Sequence, residues 1–189
     1  VKVSETELPG VLLVEPQVFG DARGFFTELY REERYRSAGI ADVFVQDNLS
    51  RSARGVLRGL HFQHPRDQAK LVYVVSGEVL DVAVDVRAGS PTFGRWVSAR
   101  LSGTNHCQLY LPVGFAHGFC VLSDEATFGY KCSAAYAPEC ERCVRWDDPE
   151  IGIAWPLEGP PSLSGRDAAA PLLRALPREH LPPYAPAGR

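Results

Sequence analysis

The stretch Gly55-Val56-Leu57-Arg58-Gly59-Leu60-His61, with Lys70 nine residues further on, places a guanidinium, an imidazole and an ammonium in strand-like sequence. Such groups are costly on a buried strand unless they are paired or used. From Arg51 to Lys70 the chain carries Arg51, Arg54, Arg58, Arg66 and Lys70 against one acid, Asp67, although the protein as a whole has a net charge of −3. A local positive site in an acidic protein points to a small anionic ligand, and the global charge favours neither nucleic acid nor an anionic membrane. Arg58 has the fork that binds phosphate. Lys70, one of three lysines, is a compact charge suited to an oxyanion. His61 carries an imidazole, a group suited to taking a proton.

Strict strand alternation sends Arg58 and His61 to opposite faces. A shared site therefore requires an irregularity, and Gly59 is the residue that allows a bulge. Gln46, Asn48 and Ser50 share one face of the preceding strand, either as a solvent face or as the wall of a polar pocket. His117 follows the turn Gly114-Phe115-Ala116. Tyr130 lies mid-strand beside Gly129, and Asp167 follows Ser164-Gly165-Arg166 and reads as a helix cap. His61 and His64 are three apart, with no His-x-His pair and no nearby Glu, so no catalytic metal is expected.

The elements that must position these groups are mostly strands. Leu80, Val82, Val84 and Val86 alternate with Asp81, Ala83, Asp85 and Arg87, and residues 70–75 read as a hairpin partner through Ser76-Gly77-Glu78. Further strands are expected at 11–16, 24–30, 44–50, 55–61, 94–101, 108–111, 119–122, 127–132 and 143–146, and one helix at 31–38. Many short strands with few helices predict an all-β sandwich or barrel. Residues 156–189 differ. They hold eight of the fifteen prolines, including Pro186, and predict an irregular arm with a helical turn near 167–175. The 189 residues, 45% hydrophobic, suit one domain with a core over about 1–155 and this arm at 156–189. Five cysteines with irregular spacing, no apolar run of ~20 residues and no signal-peptide pattern lead to the expectation of a cytoplasmic protein with reduced thiols.

With these residues in view, the chain resembles the dTDP-4-dehydrorhamnose 3,5-epimerase family. The resemblance runs through Phe19 to Glu28 (FGDARGFFTE), Gln46 to Ser52 (QDNLSRS), Ser90-Pro91-Thr92-Phe93-Gly94, Pro112 to Phe119 (PVGFAHGF), Trp146 to Pro149 and Leu163 to Asp167 (LSGRD), in order along almost the whole chain. It implies a cupin-like jelly roll, a homodimer, no cofactor and no metal. It implies inversion at C3 and C5 of dTDP-4-dehydro-6-deoxy-D-glucose, giving dTDP-4-dehydro-L-rhamnose. By resemblance His61 is the base, Asp167 its orienting carboxylate, Tyr130 the proton donor and Lys70 the oxyanion partner. Arg23, Arg58 and His117 match ligand-binding positions, and Glu28, Gln46, Asp47, Asn48, Glu141 and Arg166 match further substrate contacts. Tyr136 matches an aromatic position beside the nucleotide base. Arg23 and Glu28, on an early strand, are expected to serve the partner subunit's site. Arg166 stands where the family commonly has lysine, with the charge kept. Two alternatives stay open: a relative that inverts one carbon or isomerises a related keto sugar, and a jelly roll that only binds a sugar nucleotide.

Overall fold

A computed structural model describes residues 1–185. Pro186 and the end of the arm lie outside the described residues. Among the described residues thirteen strands form: β1 Lys2–Glu5, β2 Leu12–Glu15, β3 Val18–Asp21, β4 Gly24–Thr27, β5 Gln46–Ala53, β6 Leu57–Gln63, β7 Lys70–Ser76, β8 Glu78–Asp85, β9 Trp96–Ser102, β10 Gln108–Leu111, β11 Phe115–Val121, β12 Glu125–Cys132 and β13 Glu141–Cys143. Helix α1 spans Glu32–Ser37, inside the expected range, and α2 spans Gly165–Ala168. β1 and β3 are strands that the sequence reading did not anticipate.

A six-stranded sheet in the order β1-β2-β10-β7-β12-β5 faces a five-stranded sheet, β13-β6-β11-β8-β9, and every pairing is antiparallel. The two form the expected sandwich. Its interior is filled by Val72, Val74, Leu109 and Phe128 from one sheet against Val79, Ala83, Phe119 and Val121 from the other. The β3–β4 hairpin is a separate two-stranded sheet.

The expected hairpin of 70–75 with the next strand does not form. β7 pairs with β10 and β12, whereas β8 pairs with β11 and β9. Gly77 is a corner between the sheets. Its φ is +80°, and a Cβ there would lie 2.1 Å from the Glu125 carbonyl oxygen. Only glycine lets the start of β12 pass this close over the corner.

The polar face of β8 is also the reverse of a solvent face. Asp81 and Asp85 are fully buried, and Ala83 joins the inter-sheet core. Val82, Val84 and Val86 point the other way and are covered by Leu173 and Leu181 of the arm, together with Ile151. Burying each arm leucine contributes about 2 kcal/mol. Where a helical turn near 167–175 is predicted, the arm carries α2 and 3-10 turns at Leu173–Ala175 and Arg178–His180. It is tied down beside β6: Ser162 bridges Val56, and the Leu57 amide donates to the Ser162 carbonyl at 3.0 Å.

Candidate active site

One end of the sandwich interior is a cavity of about 690 Å³ rather than packed core, within the range of small-ligand pockets. Its floor includes Phe119 and Phe128, whose rings stack at 4.1 Å. Its walls come from both sheets.

On the β6 wall the parity problem is solved as predicted. His61 pairs with His117 and Arg58 with Phe119, so Gly59 and Leu60 stand against the single residue Gly118. This bulge inverts the alternation, and Arg58 and His61 both line the cavity. Gly59 has φ +125°, and a Cβ on it would lie 2.6 Å from the Gly118 Cα.

His61 Nε2 lies 2.6 Å from Asp167 Oδ1. Asp167 is buried and sits in the first turn of α2; the N-cap is Ser164, whose hydroxyl accepts the Asp167 amide at 3.1 Å, so the cap role expected for Asp167 belongs to Ser164. Burial alone would push the Asp167 carboxyl up. The hydrogen bond and charge of His61, with Ser164 and the Gly59 amide, more than offset this and hold it below the usual carboxylate range. An ionised Asp167 accepts from the imidazole and fixes its orientation.

Lys70 opens β7 on the facing sheet and is buried. Its ammonium reaches only the His61 carbonyl, at 3.4 Å, and forms no carboxylate ion pair among the described residues. Burial lowers its pKa, while Cys132, Asp81 and Glu141 act in the opposite sense. An anion arriving beside this ammonium gains a desolvated charge partner. Tyr130, on β12, also faces the cavity, and burial raises its phenol. His61 and Tyr130 thus belong to opposite sheets of one cavity.

The polar row of β5 is a pocket wall. Gln46, Asn48 and Ser50 line the cavity, and the intervening residues face out. Asp47 is therefore not brought to the site. It lies on the outer face of β5, paired with its cross-strand partner Lys131. Arg58 is held by one hydrogen bond, from Nε to the Ser52 hydroxyl at 3.0 Å, which leaves its outer nitrogens free. At the mouth, Tyr136 donates to Glu141 at 2.6 Å and Glu141 also pairs with Arg166; all three line the cavity. Arg23 and Glu28 do not reach it. Arg23 pairs with Asp21 at 2.6 Å on the exposed β3–β4 hairpin, and Glu28 pairs with Arg34 at 2.9 Å.

His117 lines the cavity with Nε2 2.8 Å from Asp81 Oδ2. Burial lowers its pKa against the pull of Asp81, and burial raises that of Asp81. Sequence reading missed Asp81, because its place on an alternating strand looks like solvent face. It also missed Gln63, which is buried, accepts the Ala137 amide at 2.8 Å and so fixes the segment that carries Tyr136 and Glu141. His64, by contrast, shares a hydrogen bond with Asp67 at 3.0 Å, outside the cavity lining. Burial pushes the Cys143 thiol, across from His61, up to about 12.

A jelly-roll sandwich with an imidazole–carboxylate pair, a facing phenol and a buried ammonium around one cavity defines a cupin-like protein equipped for proton transfer on a small molecule. The comparisons with known proteins are specific about which kind. The sequence model of the dTDP-4-dehydrorhamnose 3,5-epimerase family matches residues 5–175, and the chain belongs to that family. It is 56% identical over 168 residues to the dTDP-4-dehydrorhamnose 3,5-epimerase of Pseudomonas aeruginosa, covering 88% of this chain and 93% of that protein. Among solved structures it resembles the dTDP-6-deoxy-D-glucose-3,5-epimerase of Legionella pneumophila in complex with dTDP-4-keto-L-rhamnose. The TM-score is 0.95 at 51% identity, covering 97% of this chain and 98% of that one. It also resembles ChmJ, a 3'-monoepimerase from Streptomyces bikiniensis, in complex with dTDP-quinovose (TM-score 0.89, 42% identity, 95% and 92% coverage).

Proposed function

We propose that the protein is a sugar-nucleotide isomerase that inverts C3 and C5 of dTDP-4-dehydro-6-deoxy-D-glucose to give dTDP-4-dehydro-L-rhamnose. The observation that carries this reading is the placement of His61, backed by Asp167 at 2.6 Å, and Tyr130 on opposite sheets of one cavity that also holds Lys70. Both carbons flank the C4 ketone, so loss of either proton leaves an enolate with its charge on the C4 oxygen. His61 takes the proton, Lys70 holds the oxyanion, and Tyr130 returns a proton from the other face, which inverts the centre. Each inversion leaves His61 protonated and Tyr130 deprotonated, and exchange with solvent resets the pair. Arg58 binds the diphosphate, Gln46, Asn48, His117, Glu141 and Arg166 position the sugar nucleotide, and Tyr136 stacks on the thymine. The reaction as written needs no cofactor or metal.

The active form in this reading is a homodimer in which Arg23 and Glu28 serve the partner's cavity. In support, neither reaches its own cavity, and the β3–β4 hairpin, which carries Arg23 and leads to Glu28, exposes Phe19, Phe25 and Phe26 to 60%, 62% and 67%. A large exposed apolar patch of this kind marks an interaction surface. Five free cysteines fit a cytoplasmic setting, and no helix among the described residues is long and apolar enough to cross a membrane.

The test is incubation with the keto sugar nucleotide in D2O, followed by NMR. Deuterium at both C3 and C5 supports the double inversion. Deuterium at one carbon supports a single-carbon epimerase, the reading that the likeness to the 3'-monoepimerase favours. No incorporation supports a binding protein. His61→Ala is expected to slow exchange at both carbons by at least ~100-fold with nucleotide binding retained; near wild-type exchange would remove His61 as the base.

A further inference from the structure

The register of β13 on β6 sets up an arrangement that proton transfer does not use. Cys143 stands directly opposite His61, so thiol and imidazole are cross-strand neighbours on one face. α2 brings the Asp167 carboxylate to the same ring. An imidazole nitrogen, the Cys143 sulfur and an Asp167 oxygen lie within 4.8 Å of one another, and no other trio of His, Cys, Asp or Glu among the described residues does so.

Nitrogen, thiolate sulfur and carboxylate oxygen together suit Zn(II), which accepts three protein ligands and keeps a fourth position open. Metal–ligand bonds of about 2.0–2.3 Å put tetrahedral ligand atoms roughly 3.3–3.8 Å apart. All three ligand atoms already lie within 4.8 Å of one another, and side-chain rotation that opens the His61–Asp167 pair from its 2.6 Å hydrogen bond brings them to this spacing. Two of the three residues line the cavity, which gives an ion its way in.

We propose that His61, Cys143 and Asp167 form an inhibitory site for a borderline divalent cation, Zn(II) first. Binding forms the nitrogen–metal, sulfur–metal and oxygen–metal bonds and releases the thiol proton to solvent, with no change of oxidation state. It consumes the His61 lone pair and the Asp167 charge, so the metal-bound and proton-transferring states exclude each other. Only this inhibitory consequence rests on the function proposed above; the ligand set does not.

The experiment uses the full chain stripped of metal with a chelator. Co(II) absorption and Zn(II) calorimetry report binding, and deuterium exchange into the keto sugar nucleotide reports activity. One ion per chain is expected, with a thiolate-to-Co(II) charge-transfer band. Zn(II) should suppress exchange and a chelator should restore it. Cys143→Ser, with Cys143→Ala as a second variant, should keep metal-free exchange while needing at least tenfold more Zn(II) for binding and for inhibition. A Co(II) spectrum without the thiolate band would overturn the site with no variant needed. So would variants that bind Zn(II) and are inhibited at wild-type concentrations. A metal-free protein with no exchange at all would count against the proposed function, while the Co(II) spectrum would still judge the site.

Discussion

Gly59→Ala tests whether the bulge is what brings the two charged groups into one site. The new Cβ would lie 2.6 Å from the Gly118 Cα and 2.7 Å from the His117 carbonyl oxygen, both backbone atoms that cannot swing away. Overpacking of this kind costs about 1–3 kcal/mol. A non-glycine residue at φ +125° adds about 1–3 kcal/mol of backbone strain. The expected destabilisation is about 2–6 kcal/mol, a large part of the ~5–15 kcal/mol that holds a typical domain together. For a chain of this size it lowers Tm by about 5–20 °C. The folded variant should also lose activity, because relief of the clash moves β6 off β11, and a shift of ~1 Å in His61 costs about 100-fold. Gly118→Ala is the control. Its Cβ would meet the Arg58 carbonyl oxygen at 2.8 Å and Leu60 Cδ2 at 3.0 Å without a left-handed φ, so it should be the milder of the two. Thermal unfolding and deuterium exchange per folded molecule measure both effects. Gly59→Ala with wild-type Tm and rate, or Gly118→Ala as the more damaging change, would refute the reasoning.

Tyr130→Phe should cut formation of the inverted product by about 100- to 10,000-fold while exchange on the His61 side persists; equal loss of both signals in the D2O experiment would contradict separate acid and base. Asp85 is fully buried and accepts from Arg87 at 2.9 and 2.7 Å, Ser90 at 2.6 Å and Thr92 at 2.7 Å. Burial would raise its pKa, but these donors outweigh it and lower it. The folded pKa lies below the unfolded one, so the stabilisation is present above pH ~4 and lost as pH falls through the folded value. Asp85→Asn should therefore cost about 3 kcal/mol at neutral pH, and the gap to wild type should narrow in urea unfolding below pH ~4; a gap independent of pH would show that Asp85 is not ionised. Phe26→Asp, on the exposed hairpin, should halve the mass found by sedimentation and reduce activity; a wild-type mass would dismiss the hairpin as the dimer surface.

The alternation of residue types determined much of this protein. It marked most strands of both sheets, placed Gln46, Asn48 and Ser50 on one face of β5, and exposed the conflict between Arg58 and His61 that only a bulge at Gly59 could resolve. The same alternation separates Asp47 from the cavity, although motif matching had grouped it with its neighbours. The resemblance implied roles for His61, Tyr130 and Asp167 that spacing could not suggest. The motif residues Ser90 and Thr92 turn out to hold Asp85, a structural task. Tertiary structure decided the rest. Alternation defines two faces of a strand but not which one is inside, and on β8 both are covered, the apolar one by an arm from the far end of the chain. A glycine turn does not say whether the next strand stays in its sheet, and Gly77 sends it to the other one. The bond between His61 and Asp167 spans 106 residues. It exists only because Ser162 docks beside β6 and delivers α2 to the end of that strand, a closure set by packing rather than by local sequence.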